Sequence, residues 1–192
     1  MHKHDKYNRI LKAAIEVISE KGLQKTTISD IVKKADTAQG TFYLYFSSKN
    51  ALIPAIAENL LQLTLNKIKS SVNEKDNFWH ALEIYINETY AITDQYKDVV
   101  ILCYSGTAFD YSMETWEKIY QPLYDWFENL LADAIQKQEV IYSVPIQWTA
   151  KLIINSIENS AERFYIAKDQ DITCENSKKE LFQFIQRSLA TK

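Results

Sequence analysis

Apolar residues return every three or four positions along most of this chain, which is the period of an amphipathic helix and not of a strand. Ile10, Ala13, Ala14, Val17 and Ile18 form one stripe between Lys6 and Lys21. Gly22 follows as a C′ residue, and Leu23 can fold back onto the stripe. Ile28, Ile31, Val32 and Ala35 mark a short second helix, with Thr27 as N-cap and Asp30 three residues on, a near-form of the capping box. The pattern stops at Ala35-Asp36-Thr37. A turn there needs a positive φ, and Asp tolerates one better than most non-glycine residues. A third helix is predicted from Gln39 to Phe46, with Phe42 and Phe46 inward, and with Thr37 replacing Ala38 as its cap.

The rest of the chain repeats the theme in longer elements. A fourth helix, capped by Ser47 or Ser48, runs to about Val72, with Pro54 in its first turn where proline does least harm. Further helices are predicted over 77–96, 98–109, 113–138 with a kink at Pro122, 145–167 and 175–189. The helix over 145–167 has two faces that look buried. One carries Ile146, Ala150, Ile153, Ile157, Ala161 and Phe164, and the other Trp148, Leu152, Asn155 and Asn159. Such a helix sits between two partners. The fold class is all-α: a three-helix helix-turn-helix head over residues 1–47 and a larger helical body over 48–192.

The head carries the clearest chemistry. Gln39 and Tyr43, four apart, share an outward face flanked by Thr41 and Tyr45, and that face has no acids. A helix, a short turn and a second helix make a helix-turn-helix, whose second helix enters the DNA major groove. Gln can pair with adenine, Tyr43 can pack on a thymine methyl or reach a phosphate, and Gly40 between them permits close backbone approach. In this order, Thr27, Ile31, Val32, Ala35, Gly40-Thr41-Phe42-Tyr43-Leu44-Tyr45-Phe46, Lys49 and Leu52 closely resemble the DNA-binding signature of the TetR family of bacterial transcriptional regulators. The resemblance covers about the first quarter of the chain. Asp36 and Ala38 depart from it, where the family usually has Gly and Ser. It implies phosphate contacts at Thr27, Thr41, Tyr45 and Lys49, and a position at Ser29 from which a longer side chain would reach a base. It also implies a body that binds an effector and forms a homodimer through its last two helices.

Charge supports a division of labour. The net charge is −3 overall, but residues 1–50 hold nine Lys or Arg against five Asp or Glu, and the remainder thirteen against twenty. A basic head on an acidic body is what a double-stranded DNA operator calls for. Cys103 and Cys174 have neither disulfide nor metal spacing, and His2 and His4 lie in a terminal tail. No metal and no cofactor is expected. No phosphate loop, HExxH or GxSxG occurs, and His80 is the one histidine outside the tail, so an enzyme is the weakest class. There is no signal-peptide h-region and no apolar run long enough for a membrane, so the expected location is cytoplasmic.

The body is rich in aromatics, which serve a helical core or a pocket for a small, mostly apolar effector. The pocket expectation names Tyr85, Tyr104, Trp116, Tyr120 and Asn155. The dimer expectation names Ile146, Ala150, Ile153, Ile157, Ala161 and Phe164 with Leu181, Ile185 and Leu189. The function expected is a repressor released from its operator by the effector. The alternatives are a binding module whose helix-turn-helix meets protein, and a small helical enzyme.

Overall fold

The apolar stripes become eight helices among the described residues of the chain. A computed structural model describes residues 3–73, 75–103, 111–141, 145–167 and 171–189. The helices are α1 (Lys3–Lys25), α2 (Ile28–Lys34), α3 (Gln39–Tyr43), α4 (Leu52–Ser71), α5 (Phe78–Cys103), α6 (Met113–Gln136), α7 (Ile146–Tyr165) and α8 (Cys174–Leu189). None of them is long and apolar enough to cross a membrane. The chain divides into two compact units, residues 1–60 with 98–119, and residues 61–97 with 120–192. Helices α4, α5 and α6 each contribute to both.

The first unit is built on the α1 stripe. Ile10, Ala14 and Ile18 are fully buried with Ile31 of α2, Phe42 of α3, and Leu52, Ile53 and Ile56 of α4. Burying each large apolar side chain contributes about 1.5–3 kcal/mol relative to leaving it exposed. Gly22 takes φ 77 and interrupts α1 where the sequence predicts its end. Asp36 takes φ 48 and closes α2. The Thr37 N–H donates to the Val32 carbonyl at 2.9 Å and the Asp36 N–H to the Lys33 carbonyl at 3.2 Å. These two bonds make a Schellman motif with Asp where glycine is usual.

The second unit holds one apolar cluster drawn from α4 to α8, including Ile68, Phe78, Leu82, Tyr85, Phe127, Ile154, Ile157 and Ile185. The Tyr90 hydroxyl bonds the Ser160 hydroxyl at 2.7 Å and the Ser177 hydroxyl at 2.6 Å, joining α5, α7 and α8. Glu139 accepts the Phe78 N–H at 2.6 Å, and Asn77 accepts that of His80 at 2.9 Å, so the start of α5 is well capped. His80 itself is exposed.

Several boundaries differ from expectation. The helices predicted over 77–96 and 98–109 are one helix as far as Cys103, bent at Tyr96 (φ −117, ψ 21). The remainder of the 98–109 prediction lies outside the described residues. Helix α3 stops at Tyr43, and Phe46 is reached through tighter bonds such as Tyr45 N–H to the Phe42 carbonyl at 3.0 Å. Its cap residue is Ala38, with no side-chain bond, so Thr37 does not cap it. Ser48 accepts the Ala51 N–H at 3.2 Å just before α4. Helix α6 continues through Pro122, which leaves the Lys118 carbonyl without its usual donor.

Candidate nucleic-acid interface and body interior

The head is fixed from three directions. At the start of α2, the Thr27 hydroxyl accepts the Asp30 N–H at 3.1 Å, while one Asp30 oxygen accepts the Thr27 N–H at 2.8 Å and the Thr27 hydroxyl at 2.6 Å. Lys21 of α1 meets the same oxygen at 2.6 Å. Lys21, then the Thr27 hydroxyl and N–H, hold the Asp30 carboxyl well below the usual carboxylate range. At the end of α2, Arg9 donates to the carbonyls of Ala35 at 2.6 Å and Asp36 at 3.0 Å. Lys34 pairs with Glu20 at 2.5 Å and Glu16 at 3.2 Å, and these two acids push its ammonium pKa up.

Helix α3 is held by aromatic packing. Phe46 stacks on Tyr7 of α1 at 5.3 Å between ring centroids, and Phe42 meets Phe46 at 5.5 Å. Tyr45 meets the Tyr7 ring edge-on at 5.8 Å and is half-buried. Burial, then the charge of Glu58, pushes the Tyr7 phenol up. Gln39, Gly40, Tyr43 and Leu44 are left on the outside, Leu44 at 75% exposure. Ser29 on α2 is exposed and Thr41 half-buried. Gly40 has no positive φ, and a Cβ added there would meet no atom within 4 Å. Nothing inside the chain requires glycine at that position. Lys49 donates to the Leu23 and Thr26 carbonyls, both at 2.8 Å, which fixes its ammonium beside the start of α2.

The expected pocket residues separate. Tyr85 and Tyr120 belong to the second unit, and Trp116, half-buried, to the first. Tyr104 lies outside the described residues. Asn155, expected inward, is exposed. A polar group that α7 does turn toward a neighbouring helix lies three residues on. Glu158 accepts the Tyr120 hydroxyl at 2.8 Å, and burial of its carboxyl pushes the pKa up to about 8. Tyr85 is fully buried and its hydroxyl has no partner among the described residues, nor has that of Thr89 one turn further along α5. The Tyr85 ring meets Trp126 and Phe127, each at 5.8 Å.

The stripe expected to meet a second copy is also turned inward. Ala150, Ile153, Ile157 and Ala161 of α7 and Leu181, Ile185 and Leu189 of α8 are buried within the single chain. Ile146 and Phe164 are half-buried against the same core. The apolar groups left outside are Trp148 and Leu152 on the opposite face of α7 and Phe184 on α8, each more than half exposed. Two similar stripes flank α7, and the one richer in β-branched and small residues is the one the chain's own core takes.

Sequence reasoning missed Tyr7, Arg9 and Lys21, whose partners lie further along the chain, and Glu158, which it did not single out. Its signal is positional, because it falls four after Ile154 and three before Ala161, both fully buried.

The sequence model for bacterial regulatory proteins of the tetR family matches residues 10–56, and that for a tetracyclin repressor-like C-terminal domain matches 82–189. The uncharacterized HTH-type transcriptional regulator YvdT of Bacillus subtilis is 61% identical over 186 residues, covering 97% of this chain and 96% of that protein. The fatty acid metabolism regulator protein of the same organism is 24% identical, covering 88% and 87%. Among solved structures, the transcriptional regulator FadR from Bacillus subtilis in complex with stearoyl-CoA superposes with a TM-score of 0.73 at 20% identity, over 93% of this chain and 97% of that one. At that identity the likeness speaks for the fold alone. Helix-turn-helix geometry, both family matches and the 61% relative lead to one conclusion: this chain belongs to the TetR family and is a DNA-binding transcriptional regulator.

Proposed function

We propose that the protein is a cytoplasmic, homodimeric repressor that reads an operator with α3 and releases it when a small molecule enters the body. The observation that carries the DNA-reading part is Gly40. It is exposed, helical and free of internal neighbours, yet glycine costs a helix about 1 kcal/mol relative to alanine. Its use is to let something outside the chain approach the backbone between Gln39 and Tyr43. In this reading Gln39 and Tyr43 contact bases, and Thr41, Tyr45 and Lys49 contact phosphates. Thr27 donates both its N–H and its hydroxyl to Asp30, so it shapes the start of α2 and any phosphate contact it makes needs the hydroxyl to turn. Ser29 is too short to reach far and adds at most a polar contact.

Dimerisation in this reading uses the outer face of α7 and α8, with Trp148, Leu152, Phe164 and Phe184 covered by the same residues of a second copy. Two heads about 34–36 Å apart then read successive major grooves. The effector reading draws on the aromatic interior around Tyr85 and Tyr120 and on the relative that holds stearoyl-CoA. Mobility shifts on a duplex selected from a random library test the whole. Specific binding that an effector reverses supports it. Lys49→Ala should weaken all duplexes about equally and flatten the salt slope by roughly one. Absence of any sequence preference, with tight binding to a helical protein partner, would favour the binding-module alternative.

A further inference from the structure

We propose that Glu158, with the hydroxyls of Tyr85, Thr89 and Tyr120, forms the polar end of a site for an apolar amine bound as its ammonium ion. The proposal rests on the reading that the body binds an effector, and it names the chemical class. The second unit brings three helices to this place: α5 with Tyr85 and Thr89, α6 with Tyr120 and Tyr124, and α7 with Glu158. Glu158 is partly exposed and receives the Tyr120 hydroxyl on one carboxyl oxygen, and the partial burial of the group, set against that bond, pushes its pKa up. No Lys or Arg pairs with it among the described residues. Lys151, the cation on the same helix, lies over the Tyr124 ring at 4.8 Å. Glu162, one turn further on, adds negative charge, and Glu158 is near enough to Tyr85 for its own charge to push that phenol up.

Two hydroxyls that are buried and unpartnered are uncommon, and each asks for a group that the described residues do not supply. The oxygens of Tyr85, Thr89 and Glu158 can all accept, and a group that serves them together is a donor with several N–H bonds. An ammonium ion is such a donor. It also supplies the positive charge that a carboxyl in this setting lacks. The rings of Tyr85, Trp126 and Phe127, packed on one another beside this point, supply apolar surface for the tail of such an ion. A carboxylate ligand would instead bring a second negative charge beside Glu158 and Glu162. Binding the ammonium requires the Glu158 proton to leave for solvent, so affinity should rise with pH up to about 8.

The test is titration calorimetry of the full chain with a series of phenylalkylamines, their matched alcohols and their matched carboxylates, at several pH values and in buffers of different ionisation heat. Amines should bind more tightly than the other two sets, release close to one proton per site at pH 6–7, and gain roughly tenfold in affinity per pH unit there. Glu158→Gln should abolish the proton release and weaken amines at least tenfold at pH 8, leaving the alcohols unchanged. Tyr85→Phe, which changes no charge, should weaken amines several-fold. No amine binding across the series, equal binding of alcohols or carboxylates, or an unaltered Glu158→Gln overturns the proposal. Amines that bind with this linkage but leave operator affinity unchanged overturn the effector reading and keep the site.

Discussion

Asp30 in the head and Glu158 in the body carry the same functional group, and their surroundings push it in opposite directions. Asp30 sits at the surface, where Lys21 and both donors of Thr27 converge on one oxygen and hold its pKa low. Glu158 has a single hydroxyl donor in a partly buried site and is raised to about 8. Hydrogen bonds to the charged form win in the first case and desolvation wins in the second. The difference matches two tasks. The head keeps its acid permanently charged and internally satisfied, so that α2 has one shape and offers no free negative charge to DNA. The body leaves this acid and two hydroxyls under-satisfied, which is unfavourable for folding and is the cost the proposed ligand site would offset. The linkage signs follow. The Asp30 contribution to stability is full above the unfolded value of 3.8 and is lost only in stronger acid. Glu158 destabilises the folded chain progressively from 4.5 up to about 8.

The largest expected effect lies on α7, where an outer and an inner apolar face can be compared directly. Trp148→Glu combined with Phe184→Glu charges the outer face, where both residues are exposed. The chain should stay folded, become monomeric by sedimentation, and lose roughly 10²–10⁴-fold in operator affinity, because two linked heads bind far better than one. Ile157→Asp puts a charge in the core of the single chain instead and should lower Tm before any question of assembly arises. A folded dimer carrying both outer-face charges would move the interface elsewhere.

The next effect tests the acids. Glu158→Gln keeps the Tyr120 bond but cannot ionise. By urea unfolding it should be roughly 2–4 kcal/mol more stable than the native chain at pH 8 and no different below pH 4.5. A difference that stays constant with pH would show that the carboxyl titrates alike in the folded and unfolded chain, with no raised pKa.

Much of the architecture was legible because it is written in local spacing. The α1 stripe, the Thr27–Asp30 box and the left-handed Asp36 are each decided by residues within four positions of one another. Some readings failed on local detail and others on a partner far along the chain. The break between two body helices became a bend at Tyr96, since nothing local stops a helix there. Thr37 does not cap α3 because the helix begins at Gln39, which puts Ala38 at the cap position. Asn155 and Glu158 lie three apart on one helix, and only the tertiary packing of α5 and α6 decides that the acid, not the amide, faces Tyr120. Choosing which stripe of α7 is inner needs the same information.

Two smaller effects probe the recognition helix. Gln39→Ala, at an exposed position opening α3, should relax selection at one base pair by about 1–3 kcal/mol while leaving non-specific affinity unchanged. Parallel selection of bound duplexes by the two proteins reads this directly. Equal losses on all sequences would remove Gln39 from base reading.

Gly40→Ala gives the smallest change in stability, and its value is that stability and binding should move in opposite directions. The backbone at Gly40 is helical without a positive φ, and the new methyl meets no atom within 4 Å. In the free protein alanine therefore costs nothing sterically and removes glycine's entropic penalty, so the chain should gain about 0.5–1 kcal/mol. If Gly40 serves the close approach proposed above, the same methyl stands between the backbone and DNA, and operator affinity should fall. Thermal unfolding and mobility shifts on the same sample separate the two. A variant more stable than the native chain that also binds the operator equally well would remove the reason for glycine here, and with it the close approach of α3 to the groove.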